Sequence, residues 1–118
     1  MPKPLVIIGS GGHASVIAEI LLNQGREIVA VVSPIQIYEN SPLKGITRLA
    51  NDESLLDAYS SDQIELINGI GAIPGNDTHF RLFKYFSDHG YIFSSVISPH
   101  AIVASSAKLA QGIQIILR

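Results

Sequence analysis

The stretch PLVIIGSGGH, residues 4–13, decides how the beginning of this chain folds. Its first half is a continuous run of branched apolar residues, which is typical of a parallel strand buried on both faces. Its second half is a turn of small residues, which leads into a helical pattern. The stretch therefore predicts a strand, a tight glycine turn and a helix ending near Asn23, whose apolar face is formed by Val16, Ile17, Ile20 and Leu21.

Strands and helices continue to alternate along the next 80 residues. The predicted elements are strands at 27–32, 64–68 and 91–97, and helices at 51–59 and 78–89. Asn51 is expected to cap the first of these helices. The second is expected to have Phe80, Phe83 and Tyr85 or Phe86 on its apolar side, while 33–45 has no regular pattern. This alternation predicts an α/β fold, with residues 1–96 forming a small Rossmann-like parallel sheet with flanking helices.

The apolar period changes at Ile97. From there, apolar residues recur every six positions, at Ile97, Val103, Leu109 and Ile115. A period of six fits neither a helix nor a strand, but it is typical of a hexapeptide β-helix, in which each hexad forms one side of a triangular coil. Residues 97–118 are therefore predicted to begin such a β-helix, with three hexads forming the first coil. The alternative is an ordinary pair of hairpin strands.

The composition excludes several classes of function. The chain has 118 residues, a net charge of −2, and eight basic residues that do not cluster as nucleic-acid binding requires. It has no cysteine, and its four histidines lack the spacing of a metal site, so no bound metal is expected. No apolar stretch is long enough to span a bilayer, and no signal peptide is evident, so the expected location is the cytoplasm.

The glycine turn is a candidate phosphate site. Gly9, Ser10, Gly11 and Gly12 join a strand to a helix, where glycines allow close approach and the first amides of the helix favour an anion. His13 follows and could donate a hydrogen bond to the same ligand. The alternative is that the turn is purely structural and that His13 packs against the sheet.

Two other functions remain open on this sequence. A nicotinamide-dependent oxidoreductase would have a related glycine turn, and Ala14 is compatible with its third glycine position. Such an enzyme usually has an acidic residue at the end of the second strand, where this chain has Ser33 and Pro34. A non-enzymatic binding or assembly module is the other alternative.

Two motifs together resemble a known family. The motif IIGSGGHAxVI at 7–17 and ISPHAIVASSAKLAQG at 97–112 are similar to those of bacterial sugar O- and N-acyltransferases, typified by sialic acid O-acetyltransferase and the acetyltransferases of bacillosamine and perosamine synthesis. The resemblance covers essentially the whole chain. It implies a Rossmann-like domain that binds a UDP- or GDP-linked sugar in polysaccharide or glycan synthesis. A left-handed β-helix would follow, binding the co-substrate acetyl-CoA in a homotrimer.

The same resemblance indicates where substrate would bind. The family's catalytic histidine would lie beyond Arg118, so no catalytic residue is assigned, His100 is not one, and the chain alone is expected to be inactive. The family's contacts fall on the glycine turn, on the end of the second strand and on the segment after the third strand. The predicted substrate-binding residues are Gly9, Ser10, Gly11, Gly12, His13, Ser33, Pro34, Gly71, Asn76 and Arg81.

Overall fold

The computed structural model describes residues 2–70, 75–97 and 114–115. The chain elements within these ranges are β1 (Leu5–Ile8), α1 (Gly12–Asn23), β2 (Ile28–Val32), β3 (Thr47–Leu49), α2 (Asp52–Ala58), β4 (Glu65–Asn68), α3 (Thr78–Asp88), β5 (Val96–Ile97) and β6 (Gln114–Ile115).

Four of the strands form one parallel sheet in the order β3-β2-β1-β4. This is the strand order 3-2-1-4 that begins a Rossmann sheet. Because β2 and β4 lie on opposite sides of β1, the chain reverses its direction of winding beside β1. Ligands of open α/β sheets bind at such a reversal, outside the carboxyl ends of the strands. The predicted Rossmann-like α/β fold is confirmed.

The core lies in two layers, one on each face of this sheet. Leu5 and Ile7 of β1 pack against α1, whereas Val6 and Ile8 pack on the opposite face with residues of α2 and α3. Strand side chains alternate between faces, so a strand covered on both faces must be apolar at every position. This requirement explains the continuous apolar run from which the strand was predicted.

Helix α1 buries two of the four residues predicted for its apolar face, Ile17 and Leu21. The buried residues are Ala14, Ile17, Ala18 and Leu21, at i, i+3, i+4 and i+7. Val16 and Ile20, which the prediction placed on this face, lie on its flanks and are only partly buried. The two alanines occupy the centre of the contact because small side chains let the helix approach the sheet closely.

Helix α3 and the segment after it also depart from the predictions. Phe86 is fully buried, and Phe83 and Tyr85 pack partly against the core, but Phe80 is 62% exposed and does not belong to the apolar side. The predicted strand at 91–97 is wrong over most of its length. Only Phe93 forms a bridge to β4: the amide of Leu66 donates to the carbonyl oxygen of Ile92, and the carbonyl oxygen of Leu66 accepts from the amide of Ser94.

The beginning of that segment, at Tyr91, is held by hydrogen bonds to the core instead of by strand pairing. The amide of Tyr91 donates to the carbonyl oxygen of Phe86 at 3.1 Å, and the hydroxyl of Tyr91 donates to the carbonyl oxygen of Tyr59 at 2.5 Å. Burial raises the pKa of the Tyr91 hydroxyl. These two hydrogen bonds hold the chain across the edge of β4, where regular strand pairing is not continuous.

Strand β3 and the start of α2 can also be compared with the predictions from the sequence. Strand β3 was not predicted, since Thr47 and Arg48 are exposed at the sheet edge and show no apolar run. The predicted cap of α2 is confirmed, because Asn51 Oδ1 accepts a hydrogen bond from the amide of Ser54 at 2.8 Å.

Beyond the sheet, β5 and β6 pair in parallel, with Ile97 opposite Ile115. These paired positions are 18 residues apart, which equals three hexads. Residues 98–113 and 116–118, which include His100 and most of the predicted coil, lie outside the described residues. The β-helix therefore stays a prediction.

Candidate functional site

Gly9 begins the turn at the carboxyl end of β1 and adopts a conformation that favours glycine, with φ of +100°. Its amide donates to the carbonyl oxygen of Val32 at 2.8 Å, which joins the turn to the end of β2. A Cβ atom at Gly9 would lie only 2.8 Å from Cδ1 of Ile70. The turn therefore lies between the ends of β2 and β4, and a side chain at this position would be strained by the positive φ and would displace the tip of Ile70.

Gly11 and Gly12 present open backbone at the start of α1. Both are exposed, and a Cβ atom at either position would have no neighbour within 4 Å. The N-cap residue of α1, Gly11, has no side chain to cap the helix, and the first turn contains no acidic residue. Since the first amides of a helix lack partners within the helix, this end of α1 is suited to bind an anion. His13 lies half-buried in the same turn.

Ser33 is fully buried at the end of β2, and its hydroxyl group is fully used. It donates to the carbonyl oxygen of Ile35 at 2.8 Å and accepts from the amide of Ile35 at 3.3 Å. The Ser10 hydroxyl lies 2.8 Å away and must therefore be the donor in that pair. Arg48 also donates to the Ser33 carbonyl oxygen at 2.9 Å. Ser33 thus links the glycine turn to the loop after β2.

Gly69, which the sequence analysis did not single out, allows the closest approach near the site. A Cβ atom there would lie 2.5 Å from the carbonyl oxygen of Ile8 and 2.9 Å from Cβ of Ala14. The Gly69 amide donates to that same oxygen of Ile8 at 2.8 Å. The first turn of α1 therefore packs directly onto the end of β4. The glycine directly after a buried strand was the available signal.

The loop after β4 is fixed to α3 by two polar side chains. Buried Asn68 donates from Nδ2 to the carbonyl oxygen of His79 at 2.9 Å and accepts from the amide of Ile70 at 3.1 Å. His79 donates from Nδ1 to the carbonyl oxygen of Ile70 at 2.6 Å. These bonds hold Ile70 against Gly9. The sequence analysis assigned no role to either polar residue.

A cleft of about 280 Å³ opens beside the glycine turn, at the carboxyl ends of β1, β2 and β3. Two residues of the predicted site, Gly9 and Pro34, lie in its wall. Its other lining residues are Ile8, Val32, Ala50, Asn51, Asp52, Glu53, Ile70 and Leu82. The cleft is thus mostly apolar, with its carboxylates confined to the first turn of α2.

Asp52 is the half-buried carboxylate of this cleft. Burial raises its pKa above the ordinary value, and the neighbouring charge of Glu53 raises it further. Asp52 was predictable only as part of a helix start, because its position in a cleft depends on the packing of α2 over β1 and β2.

Asn76 and Arg81 have local partners at the start of α3. Asn76 Oδ1 accepts from the amide of Thr78 at 3.0 Å and from its hydroxyl at 2.7 Å. Arg81 forms an exposed ion pair with Asp77, at 2.9 Å between Nε and Oδ1. Neither residue lines the cleft. Gly71 lies outside the described residues. The predicted substrate contacts of Gly71, Asn76 and Arg81 stay predictions.

Two further observations concern the part of the chain that the structure describes. Each of its helices falls short of the length and hydrophobicity that a bilayer-spanning segment needs. Within the same residues, no three His, Asp or Glu side chains come together as a metal site would require.

The fold and the open turn define a Rossmann-like domain whose open helix start lies at the reversal of its sheet. The family profile of the PglD N-terminal domain matches residues 4–84, and the chain belongs to this family. Curated protein sequences gave no match.

Solved structures of sugar N-acetyltransferases are similar to the chain. PerB from Caulobacter crescentus, crystallised with CoA and GDP-perosamine, is 27% identical, with a TM-score of 0.76 over 97% of this chain and 51% of PerB. A variant of the perosamine N-acetyltransferase from the same organism, with the same ligands, is 28% identical, with a TM-score of 0.74 over 97% of this chain and 51% of its own. The chain therefore spans about half the length of these enzymes.

A third structure shares the fold at lower identity. The acetyltransferase domain of PglB from Neisseria gonorrhoeae FA1090 is 24% identical, with a TM-score of 0.74 over 95% of this chain and 52% of that domain. At this identity the similarity supports the architecture alone.

Proposed function

We propose that this chain forms the nucleotide-sugar-binding part of an acetyl-CoA-dependent sugar acetyltransferase. The observation that carries the proposal is the open backbone of Gly11 and Gly12 at the start of α1, in a domain of the PglD N-terminal family. The similarity to PerB, crystallised with GDP-perosamine, supports a nucleotide-linked sugar as the ligand.

The diphosphate of the substrate binds at the start of α1. Its oxygens accept hydrogen bonds from the first amides of the helix, where the helix dipole favours negative charge. Glycine at positions 11 and 12 leaves room for tetrahedral phosphate groups against the backbone. Ser10, held by Ser33, keeps the turn in the conformation that exposes these amides.

The acetyl transfer itself takes place outside this domain. A sugar amine attacks the thioester carbonyl of acetyl-CoA and gives its proton to a general base. The new amide C–N bond forms as the C–S bond breaks, and CoA leaves as a thiolate that takes up a proton. The resemblance assigns that base to a histidine of the β-helix. The domain contributes by holding the sugar nucleotide, so its isolated form binds substrate without turning it over.

The parallel pairing of β5 with β6 supports a β-helix as the next domain. An offset of 18 residues between Ile97 and Ile115 is the spacing that three six-residue sides require to return to the same face. Acetyl-CoA binding, assembly into a homotrimer and a cytoplasmic location are parts of the same proposal. An amino sugar linked to GDP or UDP is the proposed substrate, in preference to sialic acid.

Isothermal titration of the chain with UDP- and GDP-linked amino sugars tests the proposal. We expect one of these ligands to bind and Gly12→Val to abolish that binding, because the valine side chain would occupy the phosphate position. Ala58→Val, at the far end of α2, is the matched control and should leave binding unchanged. Acetyl-CoA should not bind to the isolated domain.

The remaining alternatives give different results in the same titration. Binding of NADH in place of the sugar nucleotides would favour an oxidoreductase domain. If neither class of ligand binds, but the chain forms a defined oligomer, an assembly module would replace the proposal.

A further inference from the structure

The cleft beside the glycine turn has the chemistry of a nucleoside site. Ile8, Val32, Ile70 and Leu82 give it apolar walls, and Pro34 lies at the end of β2. Its volume of about 280 Å³ is close to the lower end of the range for small-molecule pockets. A flat base and a ribose ring suit a space of this size and polarity.

Electrostatics orient a nucleotide within this site. The cleft carries two carboxylates, Asp52 and Glu53, and negative charge there disfavours phosphate groups. The start of α1 has no acidic residue in its first turn and favours them. A nucleoside diphosphate therefore places its charged end at Gly11 and Gly12 and its uncharged end in the cleft.

The ribose hydroxyls then need a hydrogen-bond acceptor, and the end of β2 does not offer one. The hydroxyl of Ser33 is buried and already makes three hydrogen bonds, and Pro34 has no polar side chain. Asp52 is half-buried in the wall of the same cleft, and its carboxylate makes no hydrogen bond or ion pair with the described residues. A carboxylate with two free oxygens can accept from both hydroxyls of a vicinal diol.

We infer that Asp52, in the first turn of α2, binds the ribose hydroxyls of the nucleotide. In many Rossmann domains, an acidic residue at the end of β2 has this role. This inference rests on the proposed function, because it assigns the nucleoside end of the same ligand.

Titration calorimetry of the chain with UDP, GDP and their 2′-deoxy forms tests the assignment. The native chain should bind the preferred ribonucleotide about tenfold more tightly than its deoxy form. Asp52→Asn should weaken the ribonucleotide about tenfold and bring the two affinities together, because a neutral amide is a poorer acceptor for a diol. Asp57→Asn, an exposed carboxylate later in α2 that does not line the cleft, is the matched control and should keep the discrimination.

The outcomes separate the two proposals. Equal affinities of native chain and Asp52→Asn for the ribonucleotide would overturn the role of Asp52 while leaving nucleotide binding in place. Loss of discrimination in Asp57→Asn would show that removing negative charge from α2 is enough to abolish it, and would also overturn the role of Asp52. No binding of either diphosphate by the native chain would contradict the proposed function as well. Thermal unfolding of each variant confirms that the comparison is made between folded chains.

Discussion

Ser33, which was expected to contact the substrate, has a structural role next to the glycine turn. The resemblance placed it among the ligand contacts, whereas the structure buries it and uses its hydroxyl to join Ser10 to the loop after β2. A buried hydroxyl with three partners stabilises local geometry because each lost bond leaves a polar group unsatisfied.

Ser33→Ala should therefore destabilise the chain by about 1–2 kcal/mol, since the backbone groups of Ile35 and the hydroxyl of Ser10 lose their partner. Ser10→Ala, which removes only one of the bonds, should cost less than half as much. Urea unfolding of both variants measures the difference. A Ser33→Ala variant as stable as the native chain would contradict the assigned role.

Asp52 should make the stability of the fold depend on pH. Its pKa is raised in the folded chain, chiefly by burial and then by Glu53, so the folded state favours the protonated carboxyl. Its contribution is fully present below the ordinary value of 3.8 and is lost as the pH rises through the raised pKa. Asp52→Asn should thus raise the melting temperature at pH 7 relative to the native chain, with a smaller difference at pH 3.5.

Melting curves at the two pH values check this sign. A variant that is less stable than the native chain at pH 7 would show that the carboxylate is stabilised where it lies, for example by the start of α2. The same variant is expected to bind the ribonucleotide less tightly, so the substitution would improve the fold while impairing the site.

Among the elements, the contact between α1 and β4 fixes where the glycine turn points. A Cβ atom at Gly69 would lie 2.5 Å from a backbone oxygen, and backbone cannot move aside as a flexible side chain can. Gly69→Ala should therefore cost about 3 kcal/mol. Gly12→Ala has open space and should change stability by no more than about 0.5 kcal/mol while weakening nucleotide binding. Equal stability of the two variants in urea would contradict this packing.

Helix α3 carries a buried polar atom that does not contribute to the fold. The hydroxyl of Ser87 has no hydrogen-bond partner among the described residues, although it is out of contact with water. Ser87→Ala removes this unsatisfied group and also favours the helix, so it should stabilise the chain by about 1 kcal/mol. A destabilised variant in thermal unfolding would indicate that the hydroxyl has a partner.

Elements were predictable where burial imposes a pattern on the sequence. β1 and β2 are apolar at every position, and β4 at its two central positions, because both faces of the sheet are covered. Helix α2 begins after an Asn whose side chain caps it. β3 is an exposed edge strand, so no apolar run identifies it. Residues 91–97 are as apolar as a strand, but Tyr91 and Phe93 are buried by side-chain contacts with the second core layer instead of by a ladder.

At the scale of the whole molecule, the order of strands brings together parts of the site that the sequence keeps far apart. Gly9, Ser33 and Ile70 follow three different strands and meet because β1 lies between β2 and β4. The glycine turn was predictable from a local motif. Asp52 was not, since its relation to the cleft depends on how α2 crosses the sheet. Gly71 and the proposed β-helix lie largely outside the described residues.

The central claim is that a nucleotide binds with its phosphates at the start of α1 and its nucleoside in the adjacent cleft. Amide chemical-shift mapping of the chain during titration with GDP or UDP tests it most directly. We expect the largest shifts at Gly11 and Gly12, further shifts at Asn51 and Asp52, and little change at the far end of α2. Absence of shifts with both diphosphates, or shifts confined to other surfaces, would contradict it.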